Sequence, residues 1–303
     1  MNILISGGTG FIGQTLCPTL LAAGHSLTVL SRTPGKVEKL FGNQVAPIHT
    51  LQALSDSDHF DAVINLAGAP IFGGRWTKKR KQILRHSRIG ITQGLVDFIA
   101  RAERKPSAFL SGSAIGFYGD QGDTIVDETS PGHDEFGHRL CDEWEKEAEK
   151  AKLYGVRVCL LRTGLVIGKN GGFLQPMILP FKLGFGGRLG SGEQWMSWIH
   201  IDDHVAICQT LLEDSSLAGK FNLTAPNPVT NQVFVKTLAG LLNRPALLPA
   251  PAWALKLILG EMSELLIGSQ RVIPKRILET GFQYKFAVID DALKDVLKSR
   301  DKR

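Results

Sequence analysis

Short apolar segments alternate with longer segments of helical periodicity through the first half of the chain. The apolar segments predict five strands, over residues 2–6, 26–31, 61–66, 107–112 and 156–162. Apolar residues at helical spacing predict helices near 12–23, 77–102 and 139–153. This alternation is typical of a doubly wound parallel sheet, so we expect a Rossmann-like α/β fold.

The pattern loosens after residue 165. Glycines recur through 184–192, and an aromatic-rich stretch follows at 195–200. Helical periods near 252–267 and 287–298 then predict a cap of helices that begins at about residue 249. We therefore expect a dinucleotide-binding domain over 1–165, with strand and helix returns to about 225. A smaller α/β and helical substrate lobe would occupy 166–303.

Size and composition are ordinary for a globular protein. The 303 residues can bury one large core, and 43% of them are hydrophobic while 21% are charged. No apolar run is long enough to cross a bilayer and no cleavable signal pattern opens the chain, so we expect a cytoplasmic protein without a membrane partner. The four cysteines lack metal spacing, so we expect reduced thiols and no metal site.

The net charge of +6 raises the question of a nucleic-acid partner. The densest basic run, at 78–81, lies on the predicted helix 77–102, whose apolar stripe would face the core. Its charges then form a solvated face. Because no aromatic interleaving or nucleic-acid motif accompanies the run, we do not expect a nucleic-acid partner.

A glycine-rich turn directly follows the first predicted strand and precedes the first predicted helix. Glycines there allow a tight turn, close approach of a ligand and close packing of the helix, whose N-terminus favours phosphate. A dinucleotide pyrophosphate is therefore expected at this turn. The residues assigned to it are Gly7, Thr9, Gly10, Phe11, Ile12 and Gly13.

The end of the second predicted strand indicates which dinucleotide binds. Enzymes that prefer NAD usually place an acidic residue there to bind the ribose diol. This chain has Ser31, Arg32 and Thr33 instead. The guanidinium can pair with a 2′-phosphate and the hydroxyls can donate to it, so NADP is the expected cofactor.

Ligands of such sheets lie outside the carboxyl ends of the strands. We therefore add the residues that end two further predicted strands to the cofactor site. They are Leu66, Ala67 and Gly68 after the third strand, and Arg162 and Thr163 after the fifth.

Four further motifs resemble those of the extended or atypical short-chain dehydrogenase/reductases, the NAD(P)-dependent epimerase/dehydratase family. They are NLAG at 65–68, SGSA at 111–114, FYG at 117–119 and WIHIDD at 198–203. The likeness covers residues 1 to about 225. It implies a Rossmann fold with a nicotinamide cofactor.

The chain is more similar still to the YfcH-type branch of that family, the 39U subfamily. The motifs concerned are RWT at 75–77, SR at 87–88, DEWE at 142–145, RTGLV at 162–166, GEM at 260–262 and QRVIP at 270–274. This resemblance implies NADP binding and an assumed redox or epimerase activity. The wider family also implies a possible homodimer, paired through helices 77–102 and 139–153.

The parent family moves protons with a Tyr-x-x-x-Lys pair, and this chain has no such pair among its three tyrosines. Aligning Glu145 with the family's helix glutamate puts Gly137 at the tyrosine position and Cys141 at the lysine position. Ser113 matches the family's serine and is a candidate to hydrogen-bond the substrate oxygen, or else a structural cap. Tyr118, the nearest phenol, could supply the proton or could pack over the cofactor.

Two classes of function follow for the chain. One is an NADP-dependent oxidoreductase or epimerase acting on a small molecule. The other is a non-catalytic NADP-binding sensor or scaffold that has lost the Tyr-Lys pair. Arginine forks and tryptophan faces suit an anionic or aromatic substrate, so four residues are assigned to its contacts: Arg75, Trp76, Arg88 and Trp198.

Overall fold

A computed structural model describes residues 1–169 and 171–298, and a seven-stranded parallel sheet forms its centre. Its strands are β1 (Asn2–Ser6), β2 (Ser26–Leu30), β3 (Val45–Ile48), β4 (Ala62–Asn65), β5 (Ala108–Ala114), β7 (Arg157–Thr163) and β12 (Gly219–Leu223). They lie in the order β12-β7-β5-β4-β1-β2-β3, and every neighbouring pair is parallel. The predicted Rossmann-like sheet is confirmed.

Helices pack on both faces of this sheet, and its strands are therefore buried on both sides. They are α1 (Gly13–Ala22), α2 (Pro34–Phe41), α3 (Lys78–Arg85), α4 (Ile91–Arg101), α5 (Phe136–Glu149) and α7 (Ile201–Glu213). In β1, Ile3 and Ile5 pack into the core beneath α1 and α7, whereas Leu4 packs with α4 and α5 on the other face. This alternation follows from the two-residue period of a strand.

The predicted helix 77–102 is divided in the structure. A π-helical turn over His86–Gly90 separates α3 from α4. Such a turn inserts an extra residue into the helical repeat and often occurs at functional sites. The predicted helix 139–153 begins earlier, at Phe136, and ends in a 3-10 turn, Lys150–Tyr154.

The remaining elements form a second, smaller group. They are the strands β6 (Ile125–Val126), β8 (Leu165–Gly168), β9 (Gly171–Gly172), β10 (Trp195–Met196), β11 (Trp198–His200), β13 (Val229–Thr230) and β14 (Arg271–Val272), with the helices α6 (Gln175–Lys182), α8 (Asn231–Leu242), α9 (Ala252–Leu259), α10 (Glu264–Ile267), α11 (Lys275–Glu279) and α12 (Ile289–Lys298). Much of this group surrounds a core of its own that includes Trp198, Phe234 and Leu293.

The chain does not run through the two groups one after the other. After β8 to β11 it returns to the central sheet with β12, which pairs with β7, and within the second group β14 pairs with β6 from the first half of the chain. Across residues 1–169 and 171–298, no helix has the length and apolarity to cross a membrane. The same residues contain no metal-binding group of three or more His, Cys, Asp or Glu side chains.

Candidate cofactor and substrate site

The glycine-rich turn connects β1 to α1, as predicted. Gly7 has a φ of +77°, and a Cβ there would lie 2.5 Å from the carbonyl carbon of Leu66. A Cβ on Gly13 would lie 2.4 Å from the carbonyl oxygen of Gly8. Any side chain at either position would therefore collide with backbone, which explains why the turn needs glycine there.

The start of α1 offers hydrogen-bond donors for an anion. The N–H groups of Phe11, Ile12 and Gly13 take part in no hydrogen bond within residues 1–169 and 171–298. Gly10, on the exposed side of the turn, carries no side chain to obstruct a ligand. Unpaired N–H groups at a helix start form a ready anion site, so the turn fits a dinucleotide pyrophosphate.

Phe11 ties this turn to the second group of elements. A Cβ on Gly171 would lie 2.2 Å from the Phe11 ring, and Cβ atoms on Gly168 and Gly172 would also collide with it. The ring therefore packs directly against the glycines of β8 and β9. The sequence predicted the turn but gave no signal for this contact, because glycines in a distant segment do not reveal what packs on them.

The end of β2 carries a free cation. Ser31 is buried, and its hydroxyl is bonded to the backbone of Thr33. Arg32 is exposed and has no side-chain hydrogen bond or ion pair in the described part of the chain. Lys36, which the sequence analysis missed, donates from Nζ to the carbonyl oxygen of Thr9 at 3.2 Å. Lys36 thus contacts the turn, and Arg32 follows β2, the strand paired with β1.

The segment after β4 is fixed by buried hydrogen bonds. The Asn65 side chain accepts from the Ser6 hydroxyl at 2.5 Å and donates to the Thr92 hydroxyl at 2.7 Å. Its oxygen also accepts from the N–H of Ala67 at 3.3 Å. These bonds hold the backbone of Leu66, Ala67 and the exposed Gly68 in place at the carboxyl end of the sheet.

The π turn brings Ser87 and Arg88 to the same segment. The Ser87 hydroxyl accepts from the N–H of Ala69, and Arg88 donates to the carbonyl oxygen of Ala69 at 3.1 Å. The guanidinium also lies over the ring of Trp144. Burial lowers the pKa of Arg88. Arg88 thus supports the loop, although the sequence analysis assigned it to a substrate.

Ser113 lies at the carboxyl end of β5 with its hydroxyl buried. It donates to Oε1 of Glu145 on α5 at 2.6 Å. Glu145 in turn forms two bonds of 2.8 Å with the guanidinium of Arg162 at the end of β7. Burial acts to lower the pKa of Arg162, but its bonds with Glu145 and Tyr118 outweigh this and raise it. Arg162 therefore keeps its positive charge.

Tyr118 continues the same chain of bonds. Its hydroxyl donates to Oδ1 of Asn222 at 2.7 Å and accepts from Arg162 at 3.0 Å. The Asn222 side chain then donates to the carbonyl oxygen of Ile273. Burial raises the pKa of Tyr118 to about 12. The phenol is fully buried, and its proton is committed to Asn222.

Gly137 and Cys141, which the sequence analysis aligned with the family's tyrosine and lysine, lie on α5. A Cβ on Gly137 would lie 3.4 Å from the carbonyl oxygen of Gly116, and a Cβ on Gly116 would lie 3.8 Å from the Cys141 sulfur. Both face the turn that follows β5. Burial, with the charge of Glu145, raises the pKa of Cys141 to about 12, so its thiol stays protonated.

Thr163 lies beside Arg162 and is half-buried. Its hydroxyl is bonded to the carbonyl oxygen of Leu161 and lies 3.1 Å from Nε2 of His204. Burial lowers the pKa of His204 to about 4, so this imidazole is neutral. The predicted cofactor residues Arg162 and Thr163 are thus adjacent at the sheet edge, but Arg162 points inward.

The other three residues assigned to the substrate make internal contacts. Arg75 is exposed and donates to the carbonyl oxygens of Leu257 and Ile258 at the end of α9. Trp76 is buried edge-on against Phe136. Trp198 lies in the second core. The structure therefore does not bring these side chains together around one ligand.

A narrow cleft of about 40 Å³ opens at Ile115, two residues beyond Ser113, and the rest of its lining comes from residues 165–270. Its walls carry apolar side chains, including Ile115, Leu165, Phe173, Met196 and Leu266. No residue that lines it is charged. Sequence reasoning missed this surface, because its members come from five separate segments.

The polar groups that line the cleft are already paired. Gln194 donates to the carbonyl oxygens of Leu189 and Leu266, and Ser197 donates to that of Gln270. Gln270 donates to Gly119, and Asn231 accepts from the N–H of Leu189. The cleft therefore presents a mainly apolar interior.

Family models match most of the chain. The model described as NAD dependent epimerase/dehydratase family covers residues 3–223, and a domain of unknown function, DUF1731, covers 250–296. The first match includes the whole central sheet. The second begins where the sequence analysis placed the helical cap.

Curated relatives extend over nearly the full length. An epimerase family protein of Arabidopsis thaliana, named as a chloroplastic SDR39U1 homolog, is 40% identical over 98% of this chain and 87% of its own length. The epimerase family protein YfhF of Bacillus subtilis is 37% identical over 99% of both chains.

Solved structures share the fold. The human epimerase family protein SDR39U1, crystallised with NADPH, is 34% identical and superposes with a TM-score of 0.88 over 98% of this chain and 99% of its own. UDP-glucuronic acid 4-epimerase from Bacillus cereus has a TM-score of 0.78 over 99% of this chain and 100% of its own at 19% identity, which shows the fold alone.

Proposed function

The chain belongs to the NAD dependent epimerase/dehydratase family, as its motifs predicted, and we propose that it is an NADP-dependent oxidoreductase acting on a small, uncharged and mainly apolar molecule. The proposal rests on two features at the start of α1 and the end of β2. A glycine turn there leaves three N–H groups unpaired within the described chain, and the end of β2 carries an unpaired arginine without a nearby acid.

The choice of NADP over NAD depends on Arg32 and Lys36. A 2′-phosphate adds about two negative charges, which a carboxylate at the end of β2 would repel and a guanidinium would bind with charge-assisted hydrogen bonds. Lys36 lies at the same edge through its contact with Thr9. The human relative was crystallised with NADPH, which supports the same choice.

Ser113 is the proposed contact for the substrate oxygen. When bound, the nicotinamide supplies or accepts hydride. Ser113 lies at the carboxyl end of β5 with its proton directed to Glu145, so its oxygen lone pairs can accept a bond from an alcohol substrate. Toward a carbonyl substrate the Ser113 hydroxyl would turn from Glu145 and donate, and water would supply the proton that the reduced oxygen takes up. Tyr118 would not contact the substrate. Its hydroxyl accepts a bond from Arg162 and so helps to position Glu145, the partner of Ser113.

The proposed substrate class rests on the cleft at Ile115, two residues beyond Ser113. Because no described lining residue is charged and the lining amides are paired, a charged substrate would lose its hydration without finding a partner. An apolar carbonyl compound or alcohol has no such cost. This differs from the anionic substrate that Arg75 and Arg88 suggested in the sequence, since both side chains bond backbone carbonyls.

A non-catalytic NADP-binding sensor is the second candidate. The sequence has no Tyr-x-x-x-Lys pair, its motifs align Gly137 and Cys141 with those positions, and Tyr118 is buried and bonded. A protein that only reports the cofactor needs no acid. A strict sugar-nucleotide epimerase is supported by fold analogy alone and is not proposed.

The cofactor half is tested by Arg32→Ala. We expect the affinity for NADPH to fall by about ten- to a hundredfold, as for the loss of hydrogen bonds to a charged group, while the affinity for NADH changes little. Isothermal titration with both cofactors measures this. Equal losses for the two would remove the 2′-phosphate argument.

The catalytic half needs a turnover screen. Purified protein with NADPH is mixed with a panel of aliphatic and aromatic aldehydes, ketones and enones, and absorbance of the nicotinamide is followed. We expect oxidation with apolar members, lost in Ser113→Ala while NADPH affinity is kept. Tight NADPH binding without turnover across the panel would favour the sensor.

A further inference from the structure

Large hydrophobic side chains are exposed in one part of the second group of elements. Leu179 and Leu183 on α6 and Phe185 in the turn after it are between 61% and 66% exposed. Elsewhere in the described chain, outside 179–185 and 247–258, only Leu153 among large hydrophobic side chains exceeds 60%. Such a concentration marks an interaction surface, because single exposed hydrophobic residues are normally scattered.

A second segment contributes to the same surface. Leu247 lies before α9, and Trp253 and Leu257 lie one turn apart on it; all three are between 68% and 79% exposed. We call these three residues, with Leu179, Leu183 and Phe185, the apolar face.

Backbone contacts hold the two segments side by side. Arg244 donates to the carbonyl oxygen of Lys182, the N–H of Leu248 donates to that of Gly186, and Gly190 and Ala250 are also bonded. The segments 182–190 and 244–250 therefore run together along the surface. Leu183, Phe185 and Leu247 lie on these paired stretches, and α6 and α9, which carry the other three residues of the apolar face, join directly onto them.

The charges of these segments are of one sign. Residues 179–190 and 243–259 contain Lys182, Arg188, Arg244 and Lys256, and they contain no Asp or Glu. The basic run that starts at Lys78 lies next to them, because Arg75 binds the end of α9 and Lys81 pairs with Glu261. The apolar face is therefore bordered by cations.

A group of acidic side chains lies near the end of α9. Asp120, Glu135, Glu261 and Glu264 line a cavity of about 380 Å³ together with Lys256. Glu261 already has a partner in Lys81, and Glu135 accepts from the N–H of Asp120. None of the six residues of the apolar face lines this cavity, so its acidic side chains are not part of the face.

We propose that the apolar face docks on an anionic lipid surface. Exposed leucine, phenylalanine and tryptophan side chains with a lysine and arginine border are the composition that inserts at the headgroup level of a bilayer. Each cation near an anionic membrane adds attraction. The occupant is a lipid surface rather than a second copy, because a two-fold contact through this face would bring the same cations together.

This docking would place the cleft near the lipid. Leu189, which lines the cleft, forms a bridge with Ala250 between the two segments of the face. The expectation that the chain has no membrane partner came from the absence of a long apolar run. A surface assembled from two short segments leaves no such run in the sequence.

Vesicle sedimentation tests the proposal without any turnover measurement. The full-length protein is mixed with vesicles of phosphatidylcholine alone and of phosphatidylcholine with 30% phosphatidylglycerol. We expect binding to the anionic vesicles to be at least about tenfold stronger, and to weaken as salt is raised.

The variant Leu247→Glu/Trp253→Glu removes two exposed apolar side chains and adds two like charges to the face. We expect it to lose at least about tenfold in vesicle affinity. The matched control is Leu153→Glu, which makes the same kind of change at an exposed leucine outside the face and should bind as the unaltered protein does. Thermal melts verify that all three proteins are folded.

Three results would overturn the proposal. One is no binding of the unaltered protein to either vesicle. Another is vesicle binding that the double variant and the control retain equally. The third is self-association of the unaltered protein in sedimentation velocity, abolished by the double variant and with no vesicle binding, which would make the apolar face an interface between copies.

Discussion

The two sides of the candidate site differ in whether their polar groups have hydrogen-bond partners within the protein. At the glycine-rich turn, the N–H groups of Phe11, Ile12 and Gly13 and the guanidinium of Arg32 have no partner within residues 1–169 and 171–298. At the carboxyl ends of β5 and β7, by contrast, each polar side chain bonds the next. This closed chain of bonds runs through Ser113, Glu145, Arg162, Tyr118 and Asn222.

The difference separates binding from stability. Unpaired donors at an exposed helix start cost little, because water satisfies them until an anion arrives. Buried donors and acceptors must find partners inside the protein. The open side can therefore accept a ligand, whereas the closed side stabilises the fold. In the proposed function only the Ser113 oxygen of the closed side contacts the substrate.

The largest expected effect breaks the closed side at its ion pair. Glu145→Gln leaves the guanidinium of Arg162 buried without a counter-charge, so we expect the free energy of unfolding to fall by about 3 to 5 kcal/mol. Denaturant unfolding followed by circular dichroism measures this. Glu149→Gln is the matched control, since Glu149 lies on the same helix in an exposed pair with Lys152 and its loss should change little. Similar losses in both variants would contradict the distinction.

The pH dependence of stability tests whether His204, which contacts Thr163 at the end of β7, belongs to the closed side. Burial lowers the pKa of His204 from 6.5 to about 4, so between these values the unfolded chain binds a proton that the folded chain does not. Stability should therefore be complete above pH 6.5 and fall as pH drops toward 4, by about 3 kcal/mol from this residue.

The measurement compares unfolding free energies at several pH values for the unaltered protein and His204→Gln. The amide can keep a bond to Thr163 but does not titrate in this range. We expect a smaller slope below pH 6.5 in the variant. Identical slopes would mean that His204 accepts a proton in the folded protein.

Gly7→Ala tests the open side. The new Cβ would collide with the carbonyl group of Leu66 at a φ of +77°, so the turn must move and the N–H groups of α1 lose their alignment. We expect NADPH affinity to fall by about a hundredfold, or about 2.7 kcal/mol. Gly240→Ala is the control, because no atom lies within 4 Å of the added carbon on α8. Unchanged affinity in Gly7→Ala would contradict a rigid cradle.

The open side was predictable from the sequence to a large extent. Strand, turn and helix around Gly7 and Gly13 follow from local patterns, and backbone geometry permits only glycine at both positions. Arg32 could be assigned because its environment is a strand end and solvent. Because short local sequence patterns determine the structure of such a turn, it can be predicted from a single sequence.

The closed side could not be read in the same way. Ser113 and Tyr118 were candidates by type and spacing, but their partners Glu145, Arg162 and Asn222 come from distant segments. Burial, which decides whether a phenol can exchange a proton, depends on the packing of all of them. The π turn at His86–Gly90 was missed for the same reason, since its contacts are with the loop after β4.

The smallest expected effect concerns Tyr118 and decides whether the closed side takes part in chemistry. Tyr118→Phe removes a hydroxyl whose proton is committed to Asn222 and whose pKa burial raises to about 12. We expect turnover and NADPH affinity to stay within about twofold, and the free energy of unfolding to fall by about 1 kcal/mol because Asn222 and Arg162 each lose a partner. Steady-state rates with any substrate found in the screen, together with denaturant unfolding, measure both. Loss of turnover with stability intact would instead identify Tyr118 as the acid and show that the closed side opens during catalysis.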